Sequence, residues 1–235
     1  RPPRSTPLYS SAASDVYKRQ AMTLVWASSL GLQAEPWVLD NEASHLSFVT
    51  VKAGDLAEAH RFRTLTGKVS INGTAEISID LASVDTLIPI RDERMREHLF
   101  QTVRFPKAIV SLKFDPVEVE SIAEGASGTV ELVGELAMMS QRVPVRADAL
   151  VVRLPPQRVL VVSRTPVVVN AASLSLVGGI EKLRELASLP SISKAVSISF
   201  ALLFVALLPF SSELRAILRP KTRACPCRVF RRSTA

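Results

Sequence analysis

Apolar and polar residues alternate with a period of two through most of the chain from residue 37 to residue 154. In the stretch EISIDLA, Ile77, Ile79 and Leu81 alternate with polar or small residues, which predicts a strand with one buried face. Asn72-Gly73 comes just before it and predicts a tight turn, because both residues tolerate a positive φ. The pattern therefore predicts strands joined by hairpins.

The same alternation continues towards the C-terminus. Further strands are predicted at residues 108–114, 129–138, 143–151, 159–162, 166–169 and 196–205. Pro155-Pro156 predicts a turn between two of them. Many short strands with turns at regular intervals favour an all-β sandwich or barrel.

Two segments depart from this alternation. Residues 91–100 (RDERMREHLF) are strongly charged and lack Gly and Pro, which predicts a short helix or an ordered loop. In residues 173–189, apolar side chains recur at helical spacing, and Pro190 follows. We therefore expect a helix near residues 178–189 that ends before this proline.

The apolar segment at 195–210 raises the question of a membrane span. It has only 16 residues and includes Ser197, Ser199 and Pro209, whereas a transmembrane helix needs about 20 apolar residues. Serine alternates with apolar residues at its start, which favours a strand. We expect no stable membrane span.

The two ends differ in composition from the body. Residues 1–20 are rich in Pro, Ser and Arg and resemble a translated sequencing adaptor, so we expect a disordered leader of artefactual origin. Residues 21–34 form a short apolar run with the shape of a signal-peptide remnant, the alternative being a surface helix or a first strand. Residues 206–235 are predicted to be a basic tail, disordered or artefactual, and residues 35–205 to be the barrel domain.

Charge and cysteine content narrow the function classes. Of the net charge of +7, residues 1–20 contribute +3 and residues 211–235 contribute +6, so residues 21–210 carry −2. The body therefore has no basic stripe suited to phosphates, and nucleic-acid binding is not expected. Cys225 and Cys227 are the only cysteines, and their C-P-C spacing does not fit a zinc or redox motif.

Several phrases, in order along the chain, resemble the YceI-like family of exported, lipocalin-like polyisoprenoid-binding proteins. Together they cover about residues 36–205. They are Trp37–Asp40 with Ser44–Phe48, His60–Phe62 with Thr66-Gly67, Ile79–Thr86, Arg91–Arg96, Phe105–Ala108, Val169–Ala171, Gly179–Glu181 with Leu183–Leu186, and Leu189–Ser193.

The resemblance implies an antiparallel, lipocalin-like barrel of eight strands with one or two short helices. It also implies export to the periplasm and binding of a polyisoprenoid or another long lipid in an elongated apolar pocket. The branch of the family with a helix at residues 178–189 is not tied to one ligand, so the lipid stays open.

The period of two also predicts which side chains face the barrel interior. The expected inward positions are Phe48, Phe62, Ile77, Ile79, Leu81, Ile109, Leu132, Leu136 and Val145. An eight-stranded barrel is just wide enough either to fill itself with side chains or to hold one small ligand, and periodicity alone favours the filled core. The resemblance favours the pocket.

The charged residues near position 91 have three interpretations. Arg91 and Arg94 would bind a lipid headgroup if they lie at a pocket mouth. Alternatively, the segment is a solvated helix with pairs such as Asp92–Arg96, or Arg91 braces Asp92 at a strand end.

Catalytic and metal-binding motifs are missing from the sequence. His45, His60 and His98 form no H-x-x-x-H or H-E-x-x-H arrangement and are predicted to be ordinary strand or loop residues. No G-x-S-x-G elbow or glycine-rich phosphate loop occurs. We expect no cofactor, no metal and no enzyme activity.

Three functions stay open. A lipid-binding barrel leads, ahead of a structural or stress-response envelope protein with a filled barrel that acts through a protein partner. An enzyme acting on a lipid comes third, and a homodimer is compatible with each.

Overall fold

The computed structural model describes residues 37–206, which form strands joined by turns and a few short helices. The strands are β1 (Trp37–Lys52), β2 (Leu56–Phe62), β3 (Leu65–Ser70), β4 (Thr74–Asp80), β5 (Val84–Asp85), β6 (Lys107–Lys113), β7 (Ser127–Met138), β8 (Gln141–Leu154), β9 (Arg158–Ser163), β10 (Val167–Asn170) and β11 (Ala195–Ala206). The helices are α1 (Pro89–Arg94), α2 (Pro116–Glu120) and α3 (Val177–Leu186), with a π-helical turn at Met95–Leu99 and 3₁₀ turns at Leu81–Ser83 and Ala171–Leu174.

Eight strands of the described region close into an antiparallel barrel in the order β1-β3-β4-β6-β7-β8-β9-β11. Pairing of β11 with β1 completes the circle, with Trp37 opposite Ala206 and Val49 opposite Ser197. Strands β2, β5 and β10 extend the wall beside β1 and β11. The predicted eight-stranded barrel is confirmed.

Strand β1 changes partners along its length. Its first residues pair with β3, and its second half pairs with β2. The register against β11 shifts between Asp40 and His45. Within this irregular stretch, the Asp40 carboxylate accepts hydrogen bonds from the backbone N–H groups of Glu42 and Ala43, at 3.0 and 3.3 Å. The shift lets β1 pair with β3 in the barrel and, further along, with β2, which extends the barrel wall.

The β3–β4 hairpin has the predicted turn and the predicted alternation. Gly73 has a φ of +79°, and a Cβ atom there would lie 2.3 Å from the carbonyl oxygen of Phe114. Only glycine fits this position. In β4, Ile77 and Ile79 are buried and face the interior, while Leu81 continues this face from the 3₁₀ turn that follows.

Helical segments cover one end of the barrel, here called the helical end: α1, the π-helical turn and α3. The prediction of a short helix in residues 91–100 is confirmed by α1 and the π-helical turn, and that of a helix near 178–189 by α3. Helix α3 packs closely against the π-helical turn, since a Cβ atom on Gly179 would lie 2.6 Å from the carbonyl oxygen of His98. This close packing fixes α3 over the barrel.

The apolar segment that starts at Ala195 forms strand β11, as its alternation predicts. Within residues 37–206, no helix is both long enough and apolar enough to cross a bilayer. The predictions for residues 1–20 and 21–34, and for the tail beyond Ala206, lie outside the described residues.

Candidate functional site

The barrel encloses a cavity of about 750 Å³. Its walls are mostly aliphatic and aromatic side chains contributed by the barrel strands, and α3 adds Ile180 and Leu183 at the helical end. Small-molecule sites typically have volumes of about 300–1,000 Å³ and mostly apolar linings. The interior is thus hollow and suited in size and polarity to an apolar ligand.

The structure brings most of the predicted site residues together around this cavity. Those that line it are Phe48, Phe62, Ile77, Ile79, Leu81, Leu132, Leu136, Val145, Arg91 and Arg94. They come from β1, β2, β4, β7 and β8, from the 3₁₀ turn after β4 and from α1.

The prediction that Ile109 faces the interior is wrong. Its side chain is 37% exposed, whereas its neighbours Ala108 and Val110 line the cavity. Strand side chains alternate between the two faces, so an error of one residue reverses every direction. In β6 the inward set is Ala108, Val110 and Leu112, while Ile109 shares the outer face with Ser111 and Lys113.

A polar wall interrupts the apolar lining near the helical end. It consists of Thr50, Lys52, Glu58, His60 and Arg91, which all line the cavity. Thr50 lies opposite Glu58 in the β1–β2 ladder, and Lys52 Nζ is 2.9 Å from Glu58 Oε2. Arg91 from α1 forms an ion pair with the same carboxylate oxygen. Three charged side chains are therefore held on one wall.

Hydrogen bonding and burial set the protonation states in the polar wall. The hydrogen bond from Lys52 lowers the pKa of Glu58, and Arg91 adds to this effect against the opposing influence of burial. Burial lowers the pKa of His60 below its ordinary value, and the nearby charge of Arg91 lowers it further. At neutral pH the wall contains a carboxylate, two cations and an uncharged imidazole.

His60 lines the cavity and, like Thr50, Lys52 and Glu58, is not among the residues that the sequence predicts for the site. It is 6% exposed, and its ring meets the Phe48 ring edge-on with centroids 5.3 Å apart. The Nε2 atom lies 3.0 Å from Thr50 Oγ1. The signal in the sequence was its spacing of two from Phe62, which places both on the inner face of β2.

Arg91 braces the fold, with partners other than those predicted. Its Nε donates to Thr86 Oγ1 at 3.0 Å and its Nη2 to the Thr86 carbonyl oxygen at 3.1 Å. Asp92 also bonds Thr86, accepting from its backbone N–H at 2.8 Å and from its hydroxyl at 2.6 Å. Arg94 makes one longer bond, 3.3 Å, to the carbonyl oxygen of Leu186.

No group of three or more His, Cys, Asp or Glu residues within residues 37–206 is arranged to hold a metal ion. The polar wall contributes hydrogen-bond donors and acceptors beside a hydrocarbon lining. Such an arrangement can hold an apolar chain and bond a polar group at one end of it.

The sequence model of the YceI-like domain family matches residues 37–204 of this chain. The chain belongs to the YceI-like family. The YceI-like barrel is also similar to the solved structure of a polyisoprenoid binding domain from Saccharophagus degradans implicated in plant cell wall breakdown. That alignment has 37% sequence identity and a TM-score of 0.71, and it covers 74% of this chain and 99% of that one.

A second solved structure supports the fold alone. BcnA from Burkholderia cenocepacia is 16% identical to this YceI-like chain, with a TM-score of 0.55 over 70% of this chain and 98% of that one. No curated protein matches the sequence.

Proposed function

We propose that this YceI-like barrel binds one long hydrocarbon chain, isoprenoid or acyl, and acts as a binding protein rather than an enzyme. The observation that carries the proposal is the cavity of about 750 Å³ with its nearly continuous apolar lining. Each CH₂ group that moves from water into such a lining contributes about 0.8 kcal/mol. Burial in this cavity therefore gives a long hydrocarbon chain a much more favourable binding free energy than a small polar metabolite.

The similarity to the Saccharophagus degradans domain supports the same proposal. That domain is described as a polyisoprenoid binding domain. It is 37% identical in sequence to this chain, and the alignment covers nearly the whole length of the Saccharophagus degradans domain. The size of the cavity argues against the filled barrel that an envelope protein acting only through a protein partner would have.

Native mass spectrometry of the purified protein, followed by solvent extraction, tests the proposal. We expect a population heavier than the polypeptide by one ligand, and a prenyl or acyl compound in the extract. Protein that carries nothing and takes up neither a prenyl nor an acyl chain would overturn the proposal in favour of the envelope-partner function.

We also propose that the protein acts in the periplasm. The support is the apolar run at residues 21–34, with the shape of a signal-peptide remnant. Cell fractionation of the source cells, with the protein detected by an antibody raised against residues 37–206, tests this. Protein found in the cytoplasmic fraction and missing from the periplasmic one would contradict it.

A further inference from the structure

One ring nitrogen of His60 lacks a partner in the barrel interior. Nδ1 is buried and has no hydrogen-bond partner within residues 37–206. The other ring nitrogen is engaged by Thr50 at 3.0 Å. A buried polar atom without a partner costs free energy, so such atoms are rare unless a ligand or another group completes them.

The surroundings of His60 make it part of the cavity and not of a closed core. The residue lines the cavity, as do Phe48 and Phe62, whose rings are 5.3 Å apart beside it. An apolar chain in the barrel therefore passes directly by the imidazole.

We propose that His60 binds the polar end of the lipid, and that this end is an uncharged hydroxyl group, as in a long-chain alcohol or prenol. The inference rests on the proposed function and specifies which class of chain the barrel selects.

The chemistry of the site favours a hydroxyl over other end groups. Either tautomer of His60 satisfies Thr50, so Nδ1 is either a donor or an acceptor. A hydroxyl both donates and accepts, and it pairs with Nδ1 in both cases.

Ion pairing and burial in the polar wall favour an uncharged end group beside His60. Lys52 and Arg91 both pair with Glu58, which offsets one of their two positive charges and weakens the attraction of the wall for a carboxylate. Burial also disfavours charge at the imidazole itself, which lowers the pKa of His60. A neutral group costs less to bury there.

A retention experiment with three chains of equal length tests the proposal. The protein is incubated with an equimolar mixture of hexadecane, hexadecan-1-ol and hexadecanoic acid, repurified and extracted, and the retained compounds are quantified by mass spectrometry. His60→Leu is the test variant, since leucine keeps the site apolar and removes both nitrogens. His60→Gln is the matched control, because its amide can still bond a hydroxyl.

We expect the ratio of retained alcohol to retained alkane to fall about tenfold in His60→Leu relative to the natural protein, which is the effect of one neutral hydrogen bond. Retention of hexadecane should be unchanged, and His60→Gln should keep most of the preference. Should His60→Leu not fold, as judged by circular dichroism, His60→Phe gives the same comparison with a ring of similar shape.

An alcohol-to-alkane ratio that is the same in the natural protein and in His60→Leu would overturn the hydroxyl site and leave lipid binding in place. Preferential retention of hexadecanoic acid that His60→Leu does not change would also overturn it. Retention of none of the three chains would overturn the hydroxyl site for straight chains, and the proposed function falls with it only if native mass spectrometry also finds no prenyl or acyl chain on the protein.

Discussion

Arg91 forms an ion pair with Glu58 across the helical end of the barrel, and the remaining nitrogens of its guanidinium hold Thr86. One side chain thus ties α1 to β2 and to the loop after β5. Its position on the cavity wall is set by these bonds, so its first role is structural.

Arg91→Ala should lower the free energy of unfolding by about 1–2 kcal/mol, because charged hydrogen bonds to two partners are lost. Arg94→Ala should change it by less than about 0.5 kcal/mol, since Arg94 makes a single bond of 3.3 Å to Leu186. Urea denaturation of both variants measures this, and binding of hexadecan-1-ol by the folded fraction is measured in parallel. Equal stabilities for the two variants would contradict the role of Arg91 as a brace.

Two adjacent residues of β6 test the direction of the cavity wall. Val110→Asp should abolish chain retention, because an unpaired carboxylate in the apolar cavity costs several kcal/mol or becomes protonated. Ile109→Asp places the same group on the outer face and should retain the chain. Ile79→Ala, which removes apolar atoms without adding charge, should keep part of it. Retention is measured by extraction, and loss in both Asp variants would count against the cavity.

The lowered pKa of Asp85 should make the free energy of unfolding depend on pH. Hydrogen bonds from Arg63 and Arg61, both 2.9 Å long, hold the pKa of the Asp85 carboxyl well below its ordinary value. The ionised carboxylate therefore stabilises the fold above about pH 4, the pKa of an unfolded aspartate, and this contribution is lost as the pH falls below it.

Asp85→Asn should be less stable than the natural protein by about 1–3 kcal/mol at pH 7. The difference should shrink between about pH 4 and pH 2. Urea denaturation at pH 7, 4 and 3 follows this change. A gap that stays constant over this range would refute the assignment.

Adjacent glycines in α3 should respond in opposite ways to alanine. Gly179→Ala places a methyl group 2.6 Å from the His98 carbonyl oxygen and 2.8 Å from Leu99 Cα, and should destabilise by about 1–3 kcal/mol. Gly178 has nothing within 4 Å of the same position, so Gly178→Ala should stabilise by up to about 1 kcal/mol through helix propensity. Thermal unfolding of the two variants decides; destabilisation by both would show that α3 tolerates no side chain there.

The sequence predicted the barrel well where the alternation is unambiguous. In β4, apolar residues at Ile77 and Ile79 stand between polar ones, and the structure buries both. In β6, AIVSLKF has apolar residues on both faces at its start, so Ile109 was assigned to the wrong one. Local pattern does not decide between faces when both are apolar.

Side-chain contacts between segments that are far apart in the chain could not be predicted from the sequence. The polar wall joins β1, β2 and α1, and Arg91 lies 33 residues from Glu58. The missing metal-binding spacing predicts an ordinary strand or loop residue at His60. Its spacing of two from Phe62 places it on the inner face of β2, but no spacing rule links it to Thr50. Only the closed barrel places these groups on one wall.

The pairing of β11 with β1 determines from which end of the barrel a fusion partner joined next to Trp37 or Ala206 would emerge. Trp37 and Ala206 are neighbours in the ladder, and along β1 they lie at the end away from Lys52. A tag, tether or fusion partner joined at either side would therefore leave from one pole of the barrel. A protein immobilised in this way would present α1, α3 and the polar wall to the solution. These elements would then be accessible to a surface that supplies or receives the hydrocarbon chain.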